Sequence, residues 1–151
     1  MLLVVLVGIA TTVLCLLLQG VFLGYSLRGY VRLRLSRLGR PTKRNSIMLL
    51  SLVMTLMLIA NIIQMAIWAG LFMAIGEFED FEVALYHSGV NFVTLGYGDI
   101  VMSEHRRLLG ALEGANGILM FGVSTSVMTA AVMDVIKYKM ARLQLTSANK
   151  R

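Results

Sequence analysis

Three long apolar runs separated by two polar stretches organise this chain. Leu2 to Tyr25 carries no charge, Ile47 to Gly76 carries none over a longer stretch, and Leu108 to Ile136 holds only Glu113 and Asp134. Each exceeds the roughly 20 residues that a helix rising about 1.5 Å per residue needs to cross a hydrocarbon core of about 30 Å. The pattern predicts an all-α membrane protein with three spanning helices. Between the second and third runs lies a helix-like stretch, Phe81 to Val93, followed by the polar hexapeptide Thr94-Leu95-Gly96-Tyr97-Gly98-Asp99. At membrane depth, irregular backbone is tolerated only where it is buried in protein or lines a watery cavity. The hexapeptide is therefore expected to re-enter the membrane with its carbonyls turned toward an aqueous path.

Composition agrees with this pattern. Apolar residues make up 58% of the 151, charged residues only 15%, and mean hydropathy is +0.78, a balance that excludes an ordinary soluble domain. The net charge of +6 would suit a nucleic-acid partner, but its distribution argues against one. Arg28, Arg32, Arg34, Arg37, Arg40, Lys43 and Arg44 cluster after the first run, and Lys137, Lys139, Arg142, Lys150 and Arg151 follow the last. The segment between the second and third runs is instead acidic: Glu77, Glu79, Asp80, Glu82, Asp99 and Glu104 stand against Arg106 and Arg107. Basic loops stay cytoplasmic. The expected topology is a multi-pass protein of the cell membrane with its N-terminus outside and its C-terminus inside, the hexapeptide entering from the external face.

Cys15 is the only cysteine, which excludes an intrachain disulfide and a cysteine-based metal cluster. The first run lacks a basic leading segment and is too long for a secretory signal, so it reads as a span. No nucleophile–base pair, metal cluster or phosphate loop points to an enzyme.

Leu27, Val31, Leu35 and Leu38 recur at helical spacing with basic residues between them. This reads as an amphipathic helix on the inner membrane surface, with anionic lipid as a possible contact. Gly39 and Pro41 should end it, and Asn45 or Ser46 should cap the second span. A bolder reading takes Arg34, Arg37, Arg40 and Lys43, at every third position, as a voltage-sensor helix. The absence of an acidic countercharge in the first span and the presence of Pro41 weigh against it. The acids Glu77 to Glu82 suit the start of the short helix, whose C-terminal end would then point partial negative charge toward the membrane centre and favour a cation there.

The hexapeptide carries the most specific chemistry. A dehydrated monovalent cation needs several oxygen ligands, more than one short loop supplies, but four copies around an axis supply enough if successive carbonyls point inward. Such a ribbon alternates ordinary and left-handed dihedrals, and glycine accepts the latter without a Cβ penalty. Gly96 and Gly98, two apart, satisfy this demand. Thr94 adds a hydroxyl at the inner end, Tyr97 can brace the ribbon from behind, and Asp99 stands at the outer mouth.

From Phe81 to about Met133 the chain resembles the pore domain of potassium channels, particularly the bacterial kind with two helices per pore. Thr94-Leu95-Gly96-Tyr97-Gly98 is similar to their selectivity filter, with Leu95 where valine is usual. Tyr86, His87 and Ser88 fall where those pore helices carry matching residues. Gly117-Ile118 and Phe121-Gly122 resemble the inner helix. The resemblance implies potassium coordination by Thr94, Leu95, Gly96 and Tyr97, with Gly98 completing the filter. It also implies a cavity lined by Ile118, Phe121 and Thr125, and a hinge at Gly117. The usual outer-loop proline is absent, and Val90 stands where some relatives place a filter-bracing carboxylate.

The expected organisation is therefore an N-terminal transmembrane helix (1–26), a basic cytoplasmic linker (27–46), a pore domain (47–136) and a basic cytoplasmic tail (137–151). Within the pore domain fall an outer helix (47–76), a pore helix (81–93), the filter (94–99) and an inner helix (107–136). Glu113 falls roughly 110° around the third helix from the cavity stripe at about 100° per residue. Two readings stand: a brace behind the filter, bonded to Asn91 or His87, or a residue near the outer interface. Gly117 is equally compatible with close helix packing. Asn61 and Gln64 suggest an interhelical contact, and His105 an external position. The resemblance implies a homotetrameric, potassium-selective channel that conducts passively and needs no cofactor beyond the permeant ion. The alternatives are a weakly selective cation channel and a nonconducting regulatory subunit of another channel.

Overall fold

The computed structural model describes residues 2–36 and 43–148, which form four helices: α1 (Leu2–Ser36), α2 (Lys43–Ala74), α3 (Phe81–Phe92) and α4 (Leu108–Ala148). No strand occurs among the described residues. Three of the helices contain stretches long and apolar enough to cross a membrane, Leu2–Arg32, Leu50–Ala74 and Leu108–Lys137. The chain is an all-α membrane protein with three such helices and one short helix between the second and third.

Two elements run further than their apolar patterns suggest. α1 continues unbroken through Leu27 to Ser36, so the basic stretch extends the first helix instead of forming a separate one. Gly24 and Gly29 lower helix propensity by only about 1 kcal/mol each, and no proline intervenes before Pro41. Gly39 and Pro41, the expected breakers, lie outside the described residues. α4 likewise continues past Ile136 to Ala148, and the sequence Lys137 to Gln144 is dominated by good helix formers. At about 1.5 Å per residue both helices are longer than a bilayer core is thick. α2 begins at Lys43, so Asn45 and Ser46 sit inside the helix and do not cap it.

The end of α2 is set by Gly76, whose φ of 72° is left-handed. Its N–H donates to the Met73 carbonyl at 2.8 Å and that of Glu77 donates to the Phe72 carbonyl at 2.9 Å. Together they form a Schellman cap that satisfies carbonyls the helix leaves open. α3 starts at Asp80, whose carboxylate accepts from the Glu82 N–H at 2.7 Å, the N-cap bond that a short acidic side chain makes well.

α1 packs on both α2 and α4. At one level Cys15, Trp68, Phe72, Phe92, Met120, Leu109 and Met102 form a buried apolar cluster contributed by all four helices and the loop before α4. α1 approaches α4 closely at Gly8, where a Cβ would lie 2.5 Å from Leu112 Cδ1. Deeper in the bundle the contact turns polar. Gln64 Nε2 donates to Gln19 Oε1 at 2.7 Å, and Gln19 Nε2 donates to Ser124 Oγ at 3.1 Å. Further along, Tyr30 donates its hydroxyl to Asp134. The interhelical role expected of Gln64 is thus fulfilled through a partner, Gln19, that apolar periodicity does not single out.

In hydrocarbon a lone glutamine side chain is costly, so mutual hydrogen bonding between Gln19, Gln64 and Ser124 ties three helices together. Such bonds average about 0.6 kcal/mol and reach about 1.7 kcal/mol. Gln19→Leu should therefore lower stability by about 1–2 kcal/mol, read as an earlier unfolding midpoint in mixed micelles. An unchanged midpoint would show that the seam contributes nothing.

Candidate functional site

The C-terminal end of α3 leads straight into the hexapeptide. Thr94 N–H donates to the Asn91 carbonyl at 2.8 Å and Leu95 N–H to the Val90 carbonyl at 2.9 Å. The pattern repeats the cap that ends α2, with Thr94 in the position usually taken by glycine. Its φ is +58°, and Gly96 and Gly98 follow at +62° and +74°. Left-handed residues thus recur at every second position across 94–98. The two glycines were the readable part of this alternation; the third member, Thr94, was not. A non-glycine residue held there costs about 1–2 kcal/mol, and the cap's two hydrogen bonds offset part of that.

Residues Thr94 to Asp99 are all exposed on the chain. Leu95 and Tyr97 point away from the chain's own core, Tyr97 with 67% of its surface open. Bracing of the ribbon by the Tyr97 ring does not occur within one subunit. The outer end is held instead by α3: the Tyr86 hydroxyl donates to Asp99 Oδ2 at 2.7 Å. That bond holds the Asp99 carboxyl below its ordinary range and raises the Tyr86 phenol above its own. Asp99 therefore stays ionised at neutral pH at the mouth of the loop.

One residue further on, the Ile100 carbonyl lies 3.0 Å from His87 Nδ1. The loop after the hexapeptide is fastened to the top of α2 by Glu77. This carboxylate accepts from the Ser103 N–H, from the Ser103 hydroxyl at 3.0 Å and from Arg106 Nη1 at 3.2 Å. Burial works against the charge, but the Ser103 and Arg106 bonds outweigh it and keep the Glu77 carboxyl below its ordinary value. A carboxyl depressed on folding contributes stability that is complete above its ordinary value and disappears as pH falls through the depressed one. Acidification below about pH 4.5 should therefore loosen this clamp. Glu77→Gln should destabilise the fold at neutral pH and remove that acid-dependent loss, as seen in thermal melts across pH. From sequence these acids suit the start of the short helix, and the clamp's partners, Ser103 and Arg106, lie 26–29 positions from Glu77, beyond any local pattern.

Glu113 is fully buried between α4 and α3. Ser88 donates its hydroxyl to Glu113 Oε1 and also lies 2.8 Å from the Met65 carbonyl of α2. Glu113 thus meets polar groups of α3, the helix that leads into the hexapeptide: Ser88 is bonded to it and the Asn91 amide adjoins the same carboxyl. Ser88 stands out in the sequence through the family resemblance, but its pairing with Glu113 does not, because a hydroxyl on a short helix is more often a solvated or self-bonded group.

α4 reaches α3 through three glycines at helical spacing. A Cβ at Gly110 would lie 3.0 Å from Asn91 Nδ2, one at Gly114 3.4 Å from the Asn91 carbonyl oxygen, and one at Gly117 1.9 Å from the Phe92 carbonyl oxygen. Gly117 is thus a point of backbone contact between α4 and the end of α3. On another face of α4, Ile118, Phe121 and Thr125 are uncovered, Ile118 by 62% of its surface. Phe121 meets Phe92 edge-on at 5.8 Å. His105 is exposed on the loop before α4.

Residues 62–134 match the protein family described as Ion channel. That stretch runs from the second half of α2 through α3 and the hexapeptide to near the membrane end of α4. This match, over just under half of the chain, supports a pore domain of potassium-channel type in that stretch and an ion-channel membrane protein as the class of the whole. No curated protein and no solved structure matches the chain.

Proposed function

We propose that the chain is one subunit of a homotetrameric, potassium-selective channel. The carrying observation is the strict alternation of left-handed residues at Thr94, Gly96 and Gly98, on a loop capped by the end of a short helix. Alternation of this kind turns successive carbonyls to one side of the ribbon. Four ribbons facing a common axis offer oxygens from Thr94, Leu95, Gly96 and Tyr97 that replace the hydration shell of potassium. Gly98 ends the ribbon and Asp99 forms a charged ring at its mouth. The oligomer also accounts for surface a lone subunit leaves open: the Tyr97 ring finds a neighbouring subunit behind the filter, and Ile118, Phe121 and Thr125 face the central cavity.

α3 serves as the pore helix, its C-terminal dipole directed at the ion path. Glu113, through Ser88, holds that helix from behind. Basic residues after α1 and along the end of α4 face the cytoplasm, where anionic lipid is available to them, and the N-terminus faces outside. Gly117 supplies close packing first, and any bending of α4 there pivots on the Phe92 contact.

Purified protein in liposomes tests the proposal. Potassium flux well above sodium flux, from a particle whose mass is four subunits, is the expected result. Equal fluxes would reduce the protein to a weakly selective cation channel, and no flux without another subunit would refute conduction by this chain alone.

A further inference from the structure

Behind the proposed filter a hydrogen-bond relay leads from its outer shoulder to the inner helix, and the chemistry of each atom fixes where its protons lie. The Ile100 carbonyl can only accept, so the nitrogen 3.0 Å from it, His87 Nδ1, must carry the hydrogen. In the neutral ring Nε2 is then an acceptor, and 2.8 Å from it stands Asn91 Nδ2, a group that can only donate. The Ile100 contact places a hydrogen on Nδ1 and the Asn91 contact leaves Nε2 bare, so together they define a neutral imidazole with its hydrogen on Nδ1. The ring cannot rotate easily to another arrangement. It is nearly buried, with the Phe72 and Phe78 rings 5.6 and 5.0 Å from its centre.

Asn91 is equally confined. Its amide nitrogen faces the space left by Gly110 on α4, and the same amide adjoins the carboxyl of Glu113. One oxygen of Glu113 bonds Ser88 and the other, Oε2, has no hydrogen-bond partner among the described residues.

We infer that His87 is a positioning residue for the filter whose neutral Nδ1–H form latches the Ile100 carbonyl to Asn91, and that a proton on Nε2 releases the latch at Asn91 while the Nδ1–H bond to Ile100 persists. With both ring nitrogens protonated, Nε2–H would confront the Asn91 amide hydrogens. Asn91 would have to turn over to offer Oδ1, withdrawing its N–H groups from Glu113 and disturbing the contact with α4 at Gly110. A proton arriving from the external side would thus act on the inner helix through Asn91, with the loop after the filter still bonded to the ring.

The charged and titratable groups around the ring bear on this directly. Glu77, at the top of α2, and Asp99, at the filter mouth, both favour the imidazolium, as does the Ile100 carbonyl. Glu77 is already engaged by Arg106 and Asp99 by Tyr86. Glu113 faces the far side of Asn91. Burial outweighs the favourable groups and holds His87 below its ordinary value. A lowered histidine value means the latch is intact at neutral pH and is lost as pH falls through that value, below about 6.5.

The inference rests on the potassium-pore reading for its functional readout, but not for its spectroscopic one. The chain has two histidines, and His105 is exposed, so the full-length protein labelled with nitrogen-15 at histidine and reconstituted in bilayers gives two separable ring signals. The buried histidine is expected to show a neutral ring with the hydrogen on Nδ1 at neutral pH, becoming doubly protonated below the ordinary histidine range. Potassium flux should decline over the same interval, by about tenfold per pH unit below the midpoint if one latched subunit is required and more steeply if several are.

His87→Asn keeps a donor near the Nδ1 position and cannot take a proton there. It should conduct without that pH dependence, whereas His87→Phe should lose selective flux at every pH. An Nε2–H tautomer at neutral pH overturns the inference, as does a His87→Asn channel with an unaltered pH profile. Absence of flux in the unmodified protein together with the expected ring signals would refute the pore and leave the latch standing.

Discussion

Gly96→Ala should abolish selective potassium flux while leaving the subunit folded. Gly96 sits at φ +62°, and a Cβ added there meets nothing within 4 Å in its own subunit. The substitution therefore costs backbone strain and no packing. Left-handed alanine costs about 1–2 kcal/mol, and a symmetric filter pays it four times, for about 4–8 kcal/mol in the conducting arrangement. Strain of that size exceeds what a ribbon fixed only at its two ends can absorb. The local response is a peptide rotation that turns a carbonyl away from the axis and removes one ring of oxygen ligands. Flux should fall to background in liposomes, with helix content and the melting of the α1–α2–α4 bundle little changed. Retained potassium selectivity in Gly96→Ala would mean that the left-handed alternation has no part in conduction, and the proposed function would lose its carrying observation.

How far the sequence disclosed this architecture depends on the range over which each signal acts. The three apolar helices were legible because membrane insertion acts on whole runs of residues, and the start of α3 at Phe81 was legible because the acids before it mark a helix N-terminus. The glycine spacing in the hexapeptide pointed to alternating dihedrals because glycine is where left-handed backbone is cheapest. Thr94 stayed hidden for the complementary reason: its conformation is imposed by carbonyls of Val90 and Asn91 closing the cap, and not by its own preference. Helix ends at Ser36 and Ala148 were misplaced because hydropathy marks where a helix leaves the lipid, not where its hydrogen bonding stops. The bonds of Gln19 and the pairing of Ser88 with Glu113 were not legible since the partners lie 45, 105 and 25 positions away.

These hidden contacts share a physical setting. In the lipid-facing bundle water is not available to satisfy a polar side chain, so each one must find another. Gln19 with Gln64 and Ser124, Glu113 with Ser88, and Tyr30 with Asp134 mark the places where helices are held in fixed register. Two of these three contacts connect α1 to α4. The N-terminal helix is thereby attached along the proposed inner helix at two depths, and a movement of α4 must either carry α1 with it or break those bonds.

Gly117→Ala should prevent correct folding of the pore domain altogether, a harsher outcome than a change in gating. A Cβ at position 117 would lie 1.9 Å from the Phe92 carbonyl oxygen, 2.8 Å from its carbon and 3.1 Å from Phe92 Cα. All three are backbone atoms at the end of α3, and none can swing aside as a side-chain tip would. To admit the methyl group, α4 must withdraw from α3. That separation would open the Gly110 and Gly114 contacts with Asn91, uncover Glu113 and shift the cap on which Thr94 depends. Overpacking in a tight core costs about 1–3 kcal/mol where neighbours can adjust, and here the adjusting elements are two helix backbones, so the upper end or more is expected. Gly122→Ala, one turn further along α4 with nothing within 4 Å of its Cβ, provides the control and should fold normally. Size-exclusion profiles and thermal melts of the two variants in detergent separate the possibilities. If Gly117→Ala assembles and melts like the unmodified protein while only its open probability changes, the close approach of α4 to α3 is not essential to the fold, and bending at this glycine becomes its main role.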